Sequence, residues 1–314
     1  MKILKKIVLA SLTFSILFTN SVTALAYVDE LWGVPFLAYG ASLSNSELEQ
    51  IHTIFGLDGR NFDSVSVDGN DLVYFLGSGN PNSNMLSSVL ITHRDAGTGV
   101  EVSILTPDNI TRITATQYAT AMITAGVTDA LVEVAAPQAV SGEAALTGIY
   151  KAFAQRGVEL DEDRMAVAQE QLEILSSISN YHNDNVNFDS YVLDQAVIEI
   201  QGLLADHYQV IGQLATNEEI QAIITDVLNN NNLEDILTPD QLQRITGFAS
   251  RFQLTDAINS PDFRNQLNNL ADQVGNIIGD LNINLDNINL DTIDHGALRS
   301  WFDRAINWLR DLFN

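Results

Sequence analysis

The most regularly patterned part of the 314-residue chain is TATQYATAMITAGVTDALVEVAAPQAVSGEAALTGIYKAFAQRGV, residues 114–158. Its spacing predicts a helix, a short apolar strand over residues 130–135 and a second helix. Gly-Val follows both helical patterns, at residues 126–127 and 157–158. Glycine readily takes the left-handed conformation that ends a helix, so each pair predicts a helix C-terminus. The stretch therefore sets the elements around which the rest of the chain is expected to fold.

A further strand is predicted just before this stretch. Val100, Val102 and Ile104 alternate with polar residues, as in a half-buried strand. A strand at 100–105, a helix and a strand at 130–135 form a β-α-β crossover, which is right-handed when its two strands are parallel in one sheet. Ser141 is expected to cap the helix that follows.

The flanking regions differ in pattern. Three short β-like runs lie upstream, at residues 62–67, 72–76 and 85–92. After residue 161 we find only long amphipathic helical patterns. The fold class expected is α+β: a small mixed β-sheet with packed helices and the β-α-β crossover in the N-terminal half, and an all-helical C-terminal half.

The first 26 residues have the pattern of a cleaved secretory signal peptide. Lys2, Lys5 and Lys6 precede an apolar run over residues 7–18, and Ala24-Leu25-Ala26 is a small-x-small cleavage site. The run is shorter than the roughly 20 residues that span a bilayer. The chain contains no cysteine, so it lacks the acceptor of a lipoprotein anchor. The sequence thus predicts a secreted protein without a lipid or transmembrane anchor.

The predicted organisation has five parts. They are a signal peptide (1–26), an α/β domain (27–158), a helical region (159–282), an Asn/Asp-rich linker (283–296) and an amphipathic C-terminal helix (297–314).

The chain is strongly acidic. Its formal net charge is −25, which becomes −28 once the three lysines of residues 1–26 are removed, and Lys151 is then the one lysine left. Such a charge repels phosphate backbones, so we expect no nucleic-acid partner. It is compatible with divalent cations or a cationic polymer, although no ligand motif supports either. No cofactor motif is present.

The C-terminal helix carries the one surface singled out as a candidate site. Its wide apolar face would consist of Leu298, Trp301, Phe302, Ala305, Trp308, Leu309 and Leu312. Three arginines and two aspartates give residues 297–313 a net charge of +1. Such a helix can lie in a membrane interface or contact a partner, and it can equally dock on the helical region.

Three features of the sequence are candidates for catalysis or metal binding. Lys151 is read as extending along the polar side of its helix, because no serine precedes it at Ser-x-x-Lys spacing. Ser141 lies outside any Gly-x-Ser-x-Gly motif, and helix capping explains it. His182, Asp184 and Asp189 could together hold a divalent metal, but a polar loop is the alternative reading. We assign no catalytic, cofactor or metal residues.

The central motif resembles a known family. GVTDALVEVAAP (126–137) and VSGEAALTGIYKAF (140–153) are similar to domain-of-unknown-function family 1002, exported proteins frequent in Gram-positive bacteria. The similarity extends to FLAYGASLSNSELEQIHTIFGL (36–57) and LTPDQLQRITGF (237–248). It implies an exported protein and assigns no activity or functional residues.

These observations favour a noncatalytic interaction protein of the cell envelope or extracellular space. Two alternatives remain open. One is an extracellular hydrolase acting on wall polymer or peptide, and the other is a peripheral membrane protein bound through the C-terminal helix.

Overall fold

A computed structural model describes residues 32–77 and 79–280. The strands are β1 (Phe36–Gly40), β2 (Asp63–Val67), β3 (Ser88–His93), β4 (Glu101–Ile104) and β5 (Ala130–Ala135). The helices are α1 (Asn45–Ile54), α2 (Gly69–Leu76), α3 (Ala115–Ala125), α4 (Ala144–Gln155), α5 (Glu162–Tyr181), α6 (Ser190–Ile211), α7 (Asn217–Asn230), α8 (Pro239–Phe252) and α9 (Pro261–Asp280), with a 3-10 turn at Asp256–Asn259.

The five strands form one mixed sheet in the order β2-β1-β3-β5-β4. The pairs β1–β2 and β4–β5 are parallel, whereas β3 is antiparallel to both of its neighbours. The parallel pairing of β4 and β5, with α3 between them in the chain, confirms the predicted β-α-β unit. A second unit of this kind, β1-α1-β2, forms the opposite edge.

The two faces of the sheet bury different sets of side chains. Successive strand residues point to opposite faces, so Leu37 and Leu90 pack beneath α1 with Phe55. Their strand neighbours Ala38 and Val89 belong to the larger cluster on the other face. The helical part of the chain covers that second face.

Helix α4 approaches the sheet closely because it carries a glycine at the contact. A Cβ placed on Gly148 would lie 3.3 Å from Ala38 Cβ and 3.3 Å from Val89 Cγ2. That separation is tighter than ordinary side-chain contact. The glycine thus allows the helix to pack directly on β1 and β3.

The two Gly-Val helix ends are confirmed. Gly126 has φ of 94°, and the Val127 N–H donates to the Met122 carbonyl at 2.9 Å. Gly157 has φ of 72°, and the Val158 N–H donates to the Phe153 carbonyl at 3.0 Å. In both cases the residue after the glycine folds back over the last helical turn, as the sequence predicted.

Two local predictions are wrong. Residues 72–76 belong to α2 rather than to a strand, because Asp68 and Asp71 form a capping box that starts a helix there. Ser141 does not cap α4: the residue at the N-cap is Glu143, which makes no side-chain capping bond. Gly142, with φ of 98°, turns the chain between Ser141 and the helix.

Helix α3 lies inside the molecule, between the sheet and the C-terminal helices. Residues 116–125 are all buried. One apolar cluster runs from Trp32 to Ile278 and includes side chains from both halves of the chain. The predicted fold class, α+β, is confirmed for the described residues, while the division into separate domains at residue 158 stays a prediction.

Candidate functional site

The surface singled out from the sequence, Leu298 to Leu312, lies outside the described residues, as do the predicted linker and signal peptide. Their roles stay predictions. The other sequence candidates all fall on described positions.

The three residues considered for a metal site do not act together. His182 is buried, with Nε2 3.0 Å from Gln241 Oε1 and its ring stacked on Phe188. Asp189 is the N-cap of α6 and accepts from the Tyr191 N–H at 2.7 Å. Within residues 32–77 and 79–280, no group of three metal-ligating side chains is placed to hold an ion. His182 thus contacts α8 through Gln241, and Asp189 serves the start of α6.

Lys151 is held by a salt bridge rather than extended along a polar face. Its Nζ lies 2.6 Å from Asp71 Oδ2 and donates to the Ser66 carbonyl at 2.9 Å. Asp71 also accepts from the Asp68 N–H at the start of α2. The lysine thus joins α4 to α2 and to the edge strand β2.

A group of hydrogen-bonded polar side chains joins three helices. We name it the Asp194 cluster; it consists of Thr114, Gln117, Ser179 and Asp194. It lies where α3 begins, against α5 and α6. Thr114 and Gln117 form the capping box of α3, in which each side chain bonds the backbone N–H of the other. Both side chains also reach α6, so a local helix cap is extended into a contact between helices.

Asp194 is the centre of this cluster. Its Oδ2 accepts from Thr114 Oγ1 at 3.0 Å, and its Oδ1 accepts from Gln117 Nε2 at 3.1 Å. The same Gln117 amide lies 3.3 Å from Ser179 Oγ on α5. Asp194 and Gln117 are both 0% exposed. Both of these hydrogen bonds come from uncharged groups.

This environment changes the proton affinity of the carboxyl group. Burial raises the pKa of Asp194 to about 7, because an anion loses its hydration there. The bonds from Gln117 and Thr114 oppose that effect, and the negative charge of Asp189 adds to it. Asp194 can therefore exchange a proton near neutral pH.

A second buried arrangement lies further along the same helices. Thr124 Oγ1 donates to Gln171 Oε1 at 2.8 Å, and Gln171 Nε2 donates to Gln201 Oε1 at 3.0 Å. Gln201 Nε2 closes the ring by donating to Thr124 Oγ1 at 2.9 Å. All three side chains are buried. The ring joins α3, α5 and α6 without charge.

Helix α6 carries further titratable groups with altered proton affinity. Burial raises the pKa of Glu199 to about 6, against bonds from Gln195 and Asn231. Burial also raises the pKa of Asp206, which the Arg264 charge partly offsets. The three acidic side chains of α6 therefore all favour the neutral form more than they would in water.

Sequence reasoning did not identify Asp194. Leu193 and Val197 are buried on the apolar face of α6, and Asp194 lies beside that face. Gln201 lies seven residues further on, at the same position around the helix. Two polar residues at this spacing, beside an apolar face, are the local signal of a buried polar contact. Their partners on α3 are about 80 positions away in the sequence, so the sequence does not show which residues they meet.

Comparison with known proteins identifies the family. The chain belongs to the family described as "Protein of unknown function (DUF1002)", which it matches over residues 39–270. The resemblance inferred from the central motif is confirmed. The Asp194 cluster lies entirely within the matched region.

One relative is "Uncharacterized protein YpuA" of Bacillus subtilis (strain 168). It is 33% identical over 182 residues, which cover 56% of this chain and 61% of the relative. The match thus spans less than two thirds of the relative's length. No solved structure matches the chain.

Within residues 32–77 and 79–280, no helix is both long and apolar enough to cross a bilayer.

Proposed function

We propose that the protein is exported and acts at the cell envelope or outside the cell, through noncovalent contacts rather than catalysis. Export is supported by the basic start, apolar run and small-residue cleavage pattern of residues 1–26. The family and its relative carry no assigned activity, so the proposal rests on this chain's own residues.

The observation that carries the noncatalytic role is the position of Asp194. Catalytic acids and bases commonly have a displaced pKa, so this carboxyl would be the first candidate. It is 0% exposed, and its hydrogen bonds come from the Thr114 and Gln117 side chains of α3. A general acid must come within hydrogen-bond reach of its substrate. The geometry of this carboxyl instead serves contact between helices.

Export is tested by analysing the protein that cells release or retain at their envelope. N-terminal sequencing should give a chain that begins at Tyr27. A protein that retains Met1 in both fractions would contradict export through a cleaved signal.

The noncatalytic role is tested with the protein from Tyr27 onwards and purified cell-wall polymer. We expect saturable binding with no soluble fragments detected by mass spectrometry. Heat-denatured protein is the control for nonspecific adsorption. Polymer or peptide fragments released above that control would replace the proposal with the hydrolase alternative.

A second proposed contact is a membrane interface through residues 297–313, based on their apolar face and net positive charge in an acidic chain. Liposomes containing anionic lipid should carry the full chain upward in a flotation gradient but leave a chain ending at residue 296 behind. Equal flotation of the two would contradict this contact. Salt should weaken it, because part of the attraction is electrostatic.

A further inference from the structure

The start of α3 is joined to α6 by a carboxyl group whose hydrogen-bond donors, in the described part of the chain, are uncharged. The oxygens of Asp194 accept from Thr114 and Gln117, both on α3 or at its N-cap. The neighbouring α5 contributes Ser179, through the Gln117 amide. Three helices thus meet at one fully enclosed acid.

A buried acid with only neutral partners is stable as the protonated form. The ionised form loses its hydration, and two hydrogen bonds from neutral donors recover part of that loss. A cation would recover more of it, but no cation is among the groups that affect Asp194. Ionisation therefore lowers the stability of the closed junction, because an enclosed anion is held by two hydrogen bonds where water would supply more.

The charged groups on the surrounding elements do not supply that compensation. On α6 and at its N-cap the nearby titratable groups are Asp189, whose charge opposes ionisation, and Tyr191, whose pKa is raised by burial first and then by the Asp194 charge. On α8 the Arg244 guanidinium donates to Ser177.

The remaining helices packed on α6 are α7 and α9. Helix α7 is followed by Asn231, which bonds Glu199. On α9, Arg264 pairs with Asp206 at 3.4 Å, three turns along α6 from Asp194, and Asp262 and Asp272 are exposed.

The capping box makes the start of α3 sensitive to this acid. Thr114 Oγ1 accepts from the Gln117 N–H at 3.0 Å while it donates to Asp194. Gln117 likewise shares its side chain between the Thr114 N–H and Asp194. Water that enters to hydrate an anion competes for these two side chains and therefore disturbs the first turn of α3. That turn also begins the crossover between β4 and β5.

We propose that the protonated Asp194 carboxyl is a proton-dependent contact that holds the start of α3 against α5 and α6, and that its ionisation loosens this junction. The fold then responds to the acidity of its surroundings at one defined place. This inference does not depend on the proposed export or on a noncatalytic role.

The sign of the pH dependence follows from the direction of the pKa shift. The folded state holds the Asp194 proton more tightly than the unfolded chain does. The protonated carboxyl therefore contributes its full stabilisation below pH 3.8, the ordinary pKa of an aspartate. It is lost as pH rises to about 7, and the folding equilibrium constant falls by roughly tenfold per pH unit within that window. Above that pH the folded state itself carries the anion, and the junction loosens.

The test compares the wild-type protein with Asp194→Asn in urea unfolding at pH 5, 6, 7 and 8. The substitution keeps an acceptor for Gln117, and the new amide can donate to Thr114 Oγ1. The ratio of the two folding equilibrium constants should move in favour of the variant by roughly tenfold per unit between pH 5 and 7. Asp226→Asn, at an exposed position of α7, is the matched control and should leave the ratio constant.

A second measurement needs no variant. Hydrogen exchange of the Gln117 and Tyr118 amides in the wild-type protein, corrected for intrinsic rates, should accelerate above pH 7, while amides in the middle of α6 stay protected. The proposal is overturned by a constant ratio for Asp194→Asn between pH 5 and 7. It is equally overturned by corrected exchange at the start of α3 that does not change with pH.

Discussion

Arg164 of α5 closes the C-terminal end of α3: its Nε donates to the Thr124 carbonyl at 2.7 Å, and its Nη2 donates to the neighbouring Ile123 carbonyl at 3.0 Å. The last carbonyls of a helix have no partner within the helix, and a cation there also suits the helix dipole. Side chains from other helices thus contact both ends of α3: Arg164 bonds its last carbonyls, and Asp194 bonds the two side chains that cap its start.

Replacing this arginine should destabilise the protein. Arg164→Met keeps most of the aliphatic length but removes the donor of the Thr124 carbonyl, whereas the Ile123 carbonyl keeps the Gly126 N–H. The expected cost is about 1–3 kcal/mol of unfolding free energy. Urea unfolding at pH 7 measures the change. Arg94→Met is the matched control, because Arg94 pairs with Glu101 at an exposed position and such pairs contribute about 0–1 kcal/mol. Equal losses in the two variants would show that the end of α3 does not depend on Arg164.

The ring of Thr124, Gln171 and Gln201 should depend on its hydroxyl group. Thr124→Val preserves shape but removes one donor and one acceptor, so both glutamines lose a partner in a buried position. The expected cost is about 1–3 kcal/mol. Thr120→Val is the comparison: Thr120 is also buried on α3, but its hydroxyl bonds only the carbonyl of Thr116, one turn back. A smaller loss in that variant is expected, and a larger one would contradict the importance of the ring.

Two glycines in helices should respond to substitution with opposite signs. Gly148→Val places a branched side chain between α4 and the sheet, where a Cβ alone is already 3.3 Å from its neighbours. Overpacking of this kind costs about 1–3 kcal/mol. Gly275→Ala in α9 meets nothing within 4 Å, so it should stabilise the protein by about 0.5–1 kcal/mol through helix propensity. Thermal unfolding of both variants measures the two changes, and a neutral Gly148→Val would disprove the close contact of α4 with β1 and β3.

Glu199 should contribute its own pH dependence. Its folded pKa of about 6 exceeds the ordinary 4.5, so its stabilising contribution is complete below pH 4.5 and disappears as pH rises through 6. In Glu199→Gln the new amide can donate to Gln195 Oε1, which has no partner in the described structure, if the Gln195 amide turns over.

The folding equilibrium constant of the wild type relative to Glu199→Gln should therefore fall by roughly ten- to thirtyfold between pH 4.5 and 6.5. A series of urea unfolding curves at closely spaced pH values measures this ratio. A ratio that does not change across that range would contradict the raised pKa of Glu199 and would show that its carboxyl is hydrated.

The sequence predicts the structure correctly where residues close together in the chain determine it. The helix ends at Gly126 and Gly157 follow from glycine conformation, and β5 follows from its apolar run, so the crossover was predictable. Residues 72–76 were misread because five apolar residues suit a buried strand or a short helix equally well. The capping box of Asp68 and Asp71, just upstream, was the signal that decides between them.

The Asp194 cluster could not be predicted in the same way. Thr114 and Gln117 have the spacing of a capping box, which is a local property. Their contact with Asp194 depends on how α3 and α6 are placed around the sheet, and one sequence contains no direct signal for that placement. Ser141 shows the converse case: its residue type suits a helix cap, but the turn at Gly142 moves the start of α4 beyond its reach.

The burial of α3 on all sides has a consequence for how the chain can be divided. Residues 116–125 present no face to solvent, because the sheet covers one side and helices from later in the sequence cover the other. A fragment ending after α4 would leave the apolar and amide side chains of α3 open to water and prone to association. Helix α3 thus acquires its full surroundings only when the second half of the chain has been synthesised, so the sheet and the later helices are completed together.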